Sequence, residues 1–269
     1  MNNQDSRYDV KKILESQMPY LIKLLNGQNI SWTKINKNLK KEHQFRKDNY
    51  TNGKLIDVNI FSIITEFIFE NKDSFGMFNF YNSTFEQLFY RLTDRELKFT
   101  HKMIKCILLN LDYKYLNFIG EIATLNVYMS SGDFELLNIE EKIYEQNNVQ
   151  ADLFLKRKKD GVKFLVEIVN IHIEDKKFTT TDEIELFIGG KFKEKYEDTF
   201  FDNPRFNLTI QPIIWTKSIE QIKLLEKVFK KYEKNVKYIR IPMCYLTYED
   251  SNGNYEHRFE YITTILNDD

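Results

Sequence analysis

An aspartate and a glutamate stand inside two apolar runs, ADLFLKR at 151–157 and VKFLVEIVN at 162–170. Runs of this length and composition, bounded by turn residues, read as β-strands. Asp160-Gly161 between them favours the positive φ angles of a two-residue hairpin turn. A turn centred there predicts Asp152 opposite Val169 and Phe154 opposite Glu167. The two acids then share one face as diagonal neighbours, roughly 7–8 Å apart between backbones. Leu153, Leu155, Val166 and Ile168 point the other way, into a core. Two carboxylates so placed can grip one hard cation between them. The bland alternative is that Asp152 merely opens a strand and Glu167 pairs with a lysine.

The elements that must position this hairpin follow from periodicity and punctuation. Residues 7–25 read as an amphipathic helix that Pro19 kinks, closed by Asn26-Gly27. A dense run of Lys and Arg lies between Lys34 and Lys47: a solvated helix face, or a set of phosphate contacts. Asn52-Gly53 marks a turn before a second apolar helix, LIDVNIFSIITEFIFEN. Two capping boxes, Ser83-x-x-Glu86 and Thr93-x-x-Glu96, are predicted to open further helices. Residues 1–112 therefore read as a helical N-terminal region without a catalytic signature. A helix over Tyr113–Met129 carries Glu121 beside Phe118, Thr124 and Leu125; an acid there is either a boundary residue reaching solvent or part of a site.

Beyond it, 134–146 reads as the first strand of a sheet that the hairpin continues. Thr181-Asp182 is placed to cap a helix, although Gly189-Gly190 weakens its middle by roughly 1 kcal/mol per glycine. Either that helix begins only at Lys191, or the glycines let it pack close to the sheet. Asn203-Pro204 ends the segment. LTIQPIIWT is a buried strand, with Pro212 suggesting a bulge or a place near an edge. Ser218 caps the next helix. VKYIRIPMCYLTY and YEHRFEYITTI then flank Asn252-Gly253-Asn254 as a closing hairpin. Strands alternating with helices around a hairpin indicate an α/β fold, a mixed sheet flanked by helices.

The hairpin and its surroundings resemble the PD-(D/E)XK nuclease superfamily. Ala-Asp at 151–152 stands for Pro-Asp, and FLVEIV at 164–169 for the apolar run with Glu-x-Lys. The order helix, three strands, helix, strand resembles its αβββαβ, restriction-endonuclease-like core over roughly residues 113–233, within a domain of 113–269. The resemblance implies a Mg²⁺- or Mn²⁺-dependent endonuclease acting on DNA. It implies a metal held by Asp152, Glu167 and the carbonyl of Ile168, with Glu121 completing the shell. The superfamily lysine, which orients or deprotonates the attacking water, is replaced by Val169. In some members that lysine has moved to the following helix, where Lys191 and Lys195 lie four apart on one face and Lys193 on another. Lys156 is a further option. Without such a lysine the chain is a catalytically inactive protein of the same fold, binding nucleic acid or a protein partner through its N-terminal helices.

Composition sets outer bounds. The 269 residues, 42% hydrophobic and 29% charged, describe a globular chain able to bury a sizeable core. A net charge of −1 lacks the strong basicity frequent in nucleic-acid-wrapping proteins, although the charge is locally uneven. Cys106 and Cys244 sit in apolar runs and are expected as buried thiols in a reducing compartment. No signal peptide or membrane-length apolar stretch is present, so the cytoplasm is the expected location, with no membrane partner. His43, His101 and His257 have no metal-ligand spacing. Asn170 and His172 alternate onto the face away from Glu167, where structural polar contacts are expected. Trp32 and Trp215 read as packing residues.

Overall fold

The structure, a computed structural model, describes residues 8–49, 60–68, 73–109, 115–145, 148–173, 178–195, 205–216, 218–235, 239–249 and 255–267. Asn52-Gly53, Asn203-Pro204 and Asn252-Gly253-Asn254, expected as turns, lie outside the described residues. The chain forms two compact units, Met1–Asn126 and Val127–Asp269, so the division falls within one helix.

The first unit is helical: α1 (Val10–Gln17), α2 (Pro19–Leu24), α3 (Trp32–Asn49), α4 (Ile60–Ile68), α5 (Asp73–Arg91), α6 (Asp94–Leu109) and the start of α7 (Tyr115–Ser130). Proline at the first position of α2 starts a new helix rather than kinking one, because its missing N–H would be unsatisfied there anyway. The box before α6 forms as expected: Glu96 Oε2 accepts the Thr93 N–H at 2.9 Å, and the Thr93 hydroxyl accepts the Glu96 N–H. Ser83, by contrast, lies inside the continuous α5 and caps nothing. The apolar stripe of α5, with Phe78, Phe85 and Leu88 fully buried, carries the helix straight through it.

The second unit is a six-stranded mixed sheet flanked by helices. Its strands are β1 (Phe134–Lys142), β2 (Gln150–Arg157), β3 (Lys163–His172), β4 (Asn207–Thr216), β5 (Met243–Glu249) and β6 (Tyr255–Tyr261), in sequential order. β1, β2 and β3 run antiparallel, β3, β4 and β5 parallel, and β6 returns antiparallel. The parallel steps are crossovers through α8 (Thr181–Lys195) and α9 (Ile219–Asn235). Ile184 and Ile188 of α8, with Ile222 and Leu225 of α9, cover Val169, Ile171, Ile210 and Ile214 of the sheet.

Three local expectations are corrected. α8 runs unbroken through Gly189-Gly190, and a Cβ built on Gly190 would meet open space, so close packing does not explain that glycine. The last strand ends at Tyr261, and Ile262–Asn267 coil into α10. Ile262 and Ile265 are both buried there, and only helical spacing turns residues three apart to one side. The third correction is the hairpin register. The β2–β3 pairs are Leu153↔Val166 through Lys156↔Lys163, two residues off the expected alignment. Asp160 is the reason. Its carboxylate takes the Arg157 guanidinium at 2.6 Å and the Val162 N–H at 3.2 Å, while the Gly161 N–H bonds the Arg157 carbonyl, giving a longer turn. Gly161 adopts φ 70°, which glycine tolerates without Cβ strain. The arginine holds the Asp160 carboxyl below its ordinary range. A slip of two conserves every face, so Asp152 and Glu167 still point to one side.

Pro212 sits in a central strand, paired with Val169 in β3. On its other side β4 changes partner: the Arg240 N–H bonds Ile210, and the β5 ladder begins only at Ile213↔Met243. The buried Gln211 amide spans that gap, donating to the carbonyls of Pro212 (3.1 Å) and Ile241 (2.9 Å).

Candidate metal centre

The two acids lie where the sheet forks. The Arg157 N–H bonds the Val162 carbonyl, which makes the odd residues of β2 the hydrogen-bonded rungs, and Leu153↔Val166 is the last pair of the ladder. The next rung would join Ala151 to Ile168. Ala151 instead stays paired with Glu141 of β1, and Ile168 with Gln211 of β4. The Ile168 N–H, which an unbroken ladder would give to Ala151, is taken by the Asp152 carboxylate at 2.6 Å. Asp152 thus caps the point where β2 and β3 part. By the same strand alternation the Ile168 carbonyl points into the fork. Asp152 and Glu167 are the residues immediately beyond that last pair on their strands.

Burial differs between the pair. Asp152 is half-buried, while Glu167 is only 5% exposed, flanked on its own face by Leu165 and Val169. A carboxylate taken that far from water is tolerable when paired, hydrogen-bonded or bound to a metal. The donor set at the fork, two carboxylates and a carbonyl, is all oxygen and suits a hard cation. Mg²⁺ needs only one or two protein carboxylates, since it keeps several waters. The residues present therefore fit such an ion. Among the described residues, no group of three or more His, Cys, Asp or Glu side chains is placed to hold a metal.

The remaining predicted residues are distributed as follows. Val169, in the motif-lysine position, is 4% exposed and packs with Ile184 and Ile188 of α8. Lys156 turns towards β1 and pairs with Glu135 at 3.3 Å. Lys191 lies 5.8 Å from the centre of the Phe187 ring. Lys195 is the last residue of α8, and its side chain, like that of Lys193, lies outside the described residues. Along α8, position 191 continues the stripe of Ile184 and Ile188. Glu121 belongs to the part of α7 in the first unit, whereas Asp152 and Glu167 belong to the second.

Sequence reasoning missed a row of rings on the opposite face. His172 stacks on Trp215 (5.5 Å, 8°), Trp215 packs on Tyr245 (4.8 Å), and the Tyr245 hydroxyl meets His257 Nδ1 at 2.7 Å. The Trp215 indole N–H donates to Asn170 Oδ1 at 2.9 Å. The bond to Asn170 is the structural polar contact expected there, whereas the contact described for His172 is a ring stack. Burial pushes His257 down to about 4, below its unfolded value of 6.5. The unfolded chain therefore binds the extra proton between those values. Stability is complete above pH 6.5 and falls as pH drops towards 4, by about 2 kcal/mol once partial solvent access is allowed for. Urea midpoints for the parent and His257→Gln should converge across that window; parallel curves would contradict this assignment.

No family model matches the chain, and no curated protein matches it. Among the described residues, no helix is long and apolar enough to cross a membrane. A solved structure to which the chain is similar is SfsA of Pyrococcus furiosus in complex with Ca²⁺. The two share 9% identity at a TM-score of 0.26, over 56% of this chain and 64% of that one, under two thirds of its length.

Proposed function

We propose that this chain is a metal-dependent nuclease with a PD-(D/E)XK-type core that hydrolyses phosphodiester bonds in DNA. The observation that carries this reading is the fork: Asp152 and Glu167 stand just beyond the last β2–β3 pair, and the Asp152 carboxylate accepts the Ile168 N–H at 2.6 Å. Capping the Ile168 N–H gives Asp152 a structural role, but that role does not explain the buried Glu167 beside it. Asp152, Glu167 and Ile168 are the residues that would hold Mg²⁺ or Mn²⁺. Such an ion supplies Lewis-acid polarisation of the phosphoryl oxygen and a water activated for attack. The hydrogen bond from the Ile168 N–H fixes the Asp152 carboxylate in orientation before any ion arrives. Lys191 or Lys195 contributes positive charge beside the scissile phosphate.

A second reading, a nuclease-fold protein that binds without cutting, is favoured by one observation. The motif-lysine position points into a packed core, and the amine of Lys156 is engaged by Glu135. Incubating supercoiled DNA with the protein in Mg²⁺ or Mn²⁺, against an EDTA control, separates the two. The nuclease reading expects nicking only with metal; cleavage that survives EDTA, or none with either ion, contradicts it.

A further inference from the structure

The first unit carries a cationic helix face that the candidate metal centre does not use. On α3, Lys34, Lys37, Lys41 and Phe45 follow one another at steps of three, four and four, which places them on one side of the helix. Lys40 and Lys47 lie together on one side of that stripe, roughly a third of a turn away, and all five lysines are exposed. The opposite side holds Ile35 and Leu39, both buried. Lys34, Lys37, Lys41 and Lys47 make no ion pair among the described residues. The helix contains two acids. Glu42 accepts the Ser62 hydroxyl on the inner side, and Asp48, whose side chain lies outside the described residues, follows the last lysine. Phe45 is 62% exposed, a large ring held at the end of the lysine row.

We propose that this face of α3 docks single-stranded nucleic acid, the lysines contacting successive phosphates and Phe45 stacking on an unpaired base. From Lys34 to Lys47 the helix rises about 20 Å, long enough to follow several nucleotides. Cations tracking a backbone beside an aromatic platform are the two components of sequence-tolerant single-strand binding. An anionic membrane would attract the same charges. However, the apolar face of α3 is already buried within its own unit, which leaves Phe45 as the helix's exposed large apolar side chain and removes the hydrophobic insertion such binding needs. The inference rests on nucleic acid being the substrate proposed above, and it supplies the surface that holds the strand.

The test is fluorescence anisotropy of a labelled 20-nucleotide oligothymidylate with the full chain in EDTA, so that cleavage plays no part. Three to five phosphate contacts give a log K against log salt slope of about −2 to −3.5. The double variant Lys37→Gln, Lys41→Gln should flatten that slope by about 1.4. Lys11→Gln with Lys12→Gln, an equal charge change on exposed α1 residues, should leave it unchanged. Phe45→Ala should weaken the oligonucleotide about tenfold, with little effect on a duplex of equal length. All the altered residues are exposed, and unchanged melting curves check that each variant folds. The proposal is overturned if the α3 and α1 double variants behave alike, if Phe45→Ala binds as the parent does, or if the same lysines serve phosphatidylserine vesicles and not the oligonucleotide. Loss of binding here with metal-dependent nicking intact would sink this inference alone. Binding intact without nicking would sink only the nuclease reading.

Discussion

Asp152→Asn and Glu167→Gln should each lower the proposed metal-dependent cleavage by more than about 10²-fold, with the fold retained. Outer partners of a metal ligand are commonly worth 10–100-fold in metal affinity, so removing a direct anionic ligand should cost more. The structure explains why asparagine is the right probe at 152. The Asp152 carboxylate also accepts the Ile168 N–H, and an amide oxygen can still do so. Asp152→Ala would remove both roles and leave a backbone donor unmet, at about 1–3 kcal/mol of stability. Glu167 is buried, so glutamine keeps its volume while removing a charge that the fold has kept from water. Near-parental melting temperatures alongside lost cleavage are the expected pair of readings. Full activity in both variants would remove the fork from the mechanism.

The second large effect concerns the lysine. Lys191→Met or Lys195→Met, one of the two, should reduce turnover by ~10²–10³ while leaving metal affinity and stability nearly unchanged. In a strand–helix–strand crossover the helix runs back against the strands, so residues after Ile188 move from the Val169 end of β3 towards Glu167. Position 191 also continues the stripe of Ile184 and Ile188. A lysine amine there would bring positive charge beside the proposed site, where negative charge would develop in the transition state. Lys195 is favoured because it lies a turn further along this path, and Lys191 already sits near the Phe187 ring. Parental rates in both single variants and the double variant would exclude α8 and return attention to Lys156. The Lys156 amine would first have to leave Glu135.

The shared face of the acids was legible in the sequence because side-chain direction in a strand has period two. The real turn is longer than Asp160-Gly161 implies, yet the resulting slip of two residues moves no side chain to the other face. The fork itself was not legible. It depends on Ala151 staying with β1 while Ile168 stays with β4, and pairings between distant segments leave no local mark. The ring row was hidden for the same reason, since His172, Trp215, Tyr245 and His257 come from four strands. Ser83 misled because a capping-box pattern says nothing about whether a longer apolar stripe runs through it. Phe45 gave no signal, since its exposure depends on which side of α3 the rest of its unit covers.

The central claim is that the β2–β3 fork holds a hard divalent cation, and Mn²⁺ binding followed by electron paramagnetic resonance tests it without any need for cleavage. The account predicts saturable binding of one Mn²⁺ by the parent, competition by Mg²⁺, and loss of that site in Asp152→Asn and in Glu167→Gln. Mn²⁺ bound as tightly by both variants as by the parent, or not bound by the parent at all, would contradict it.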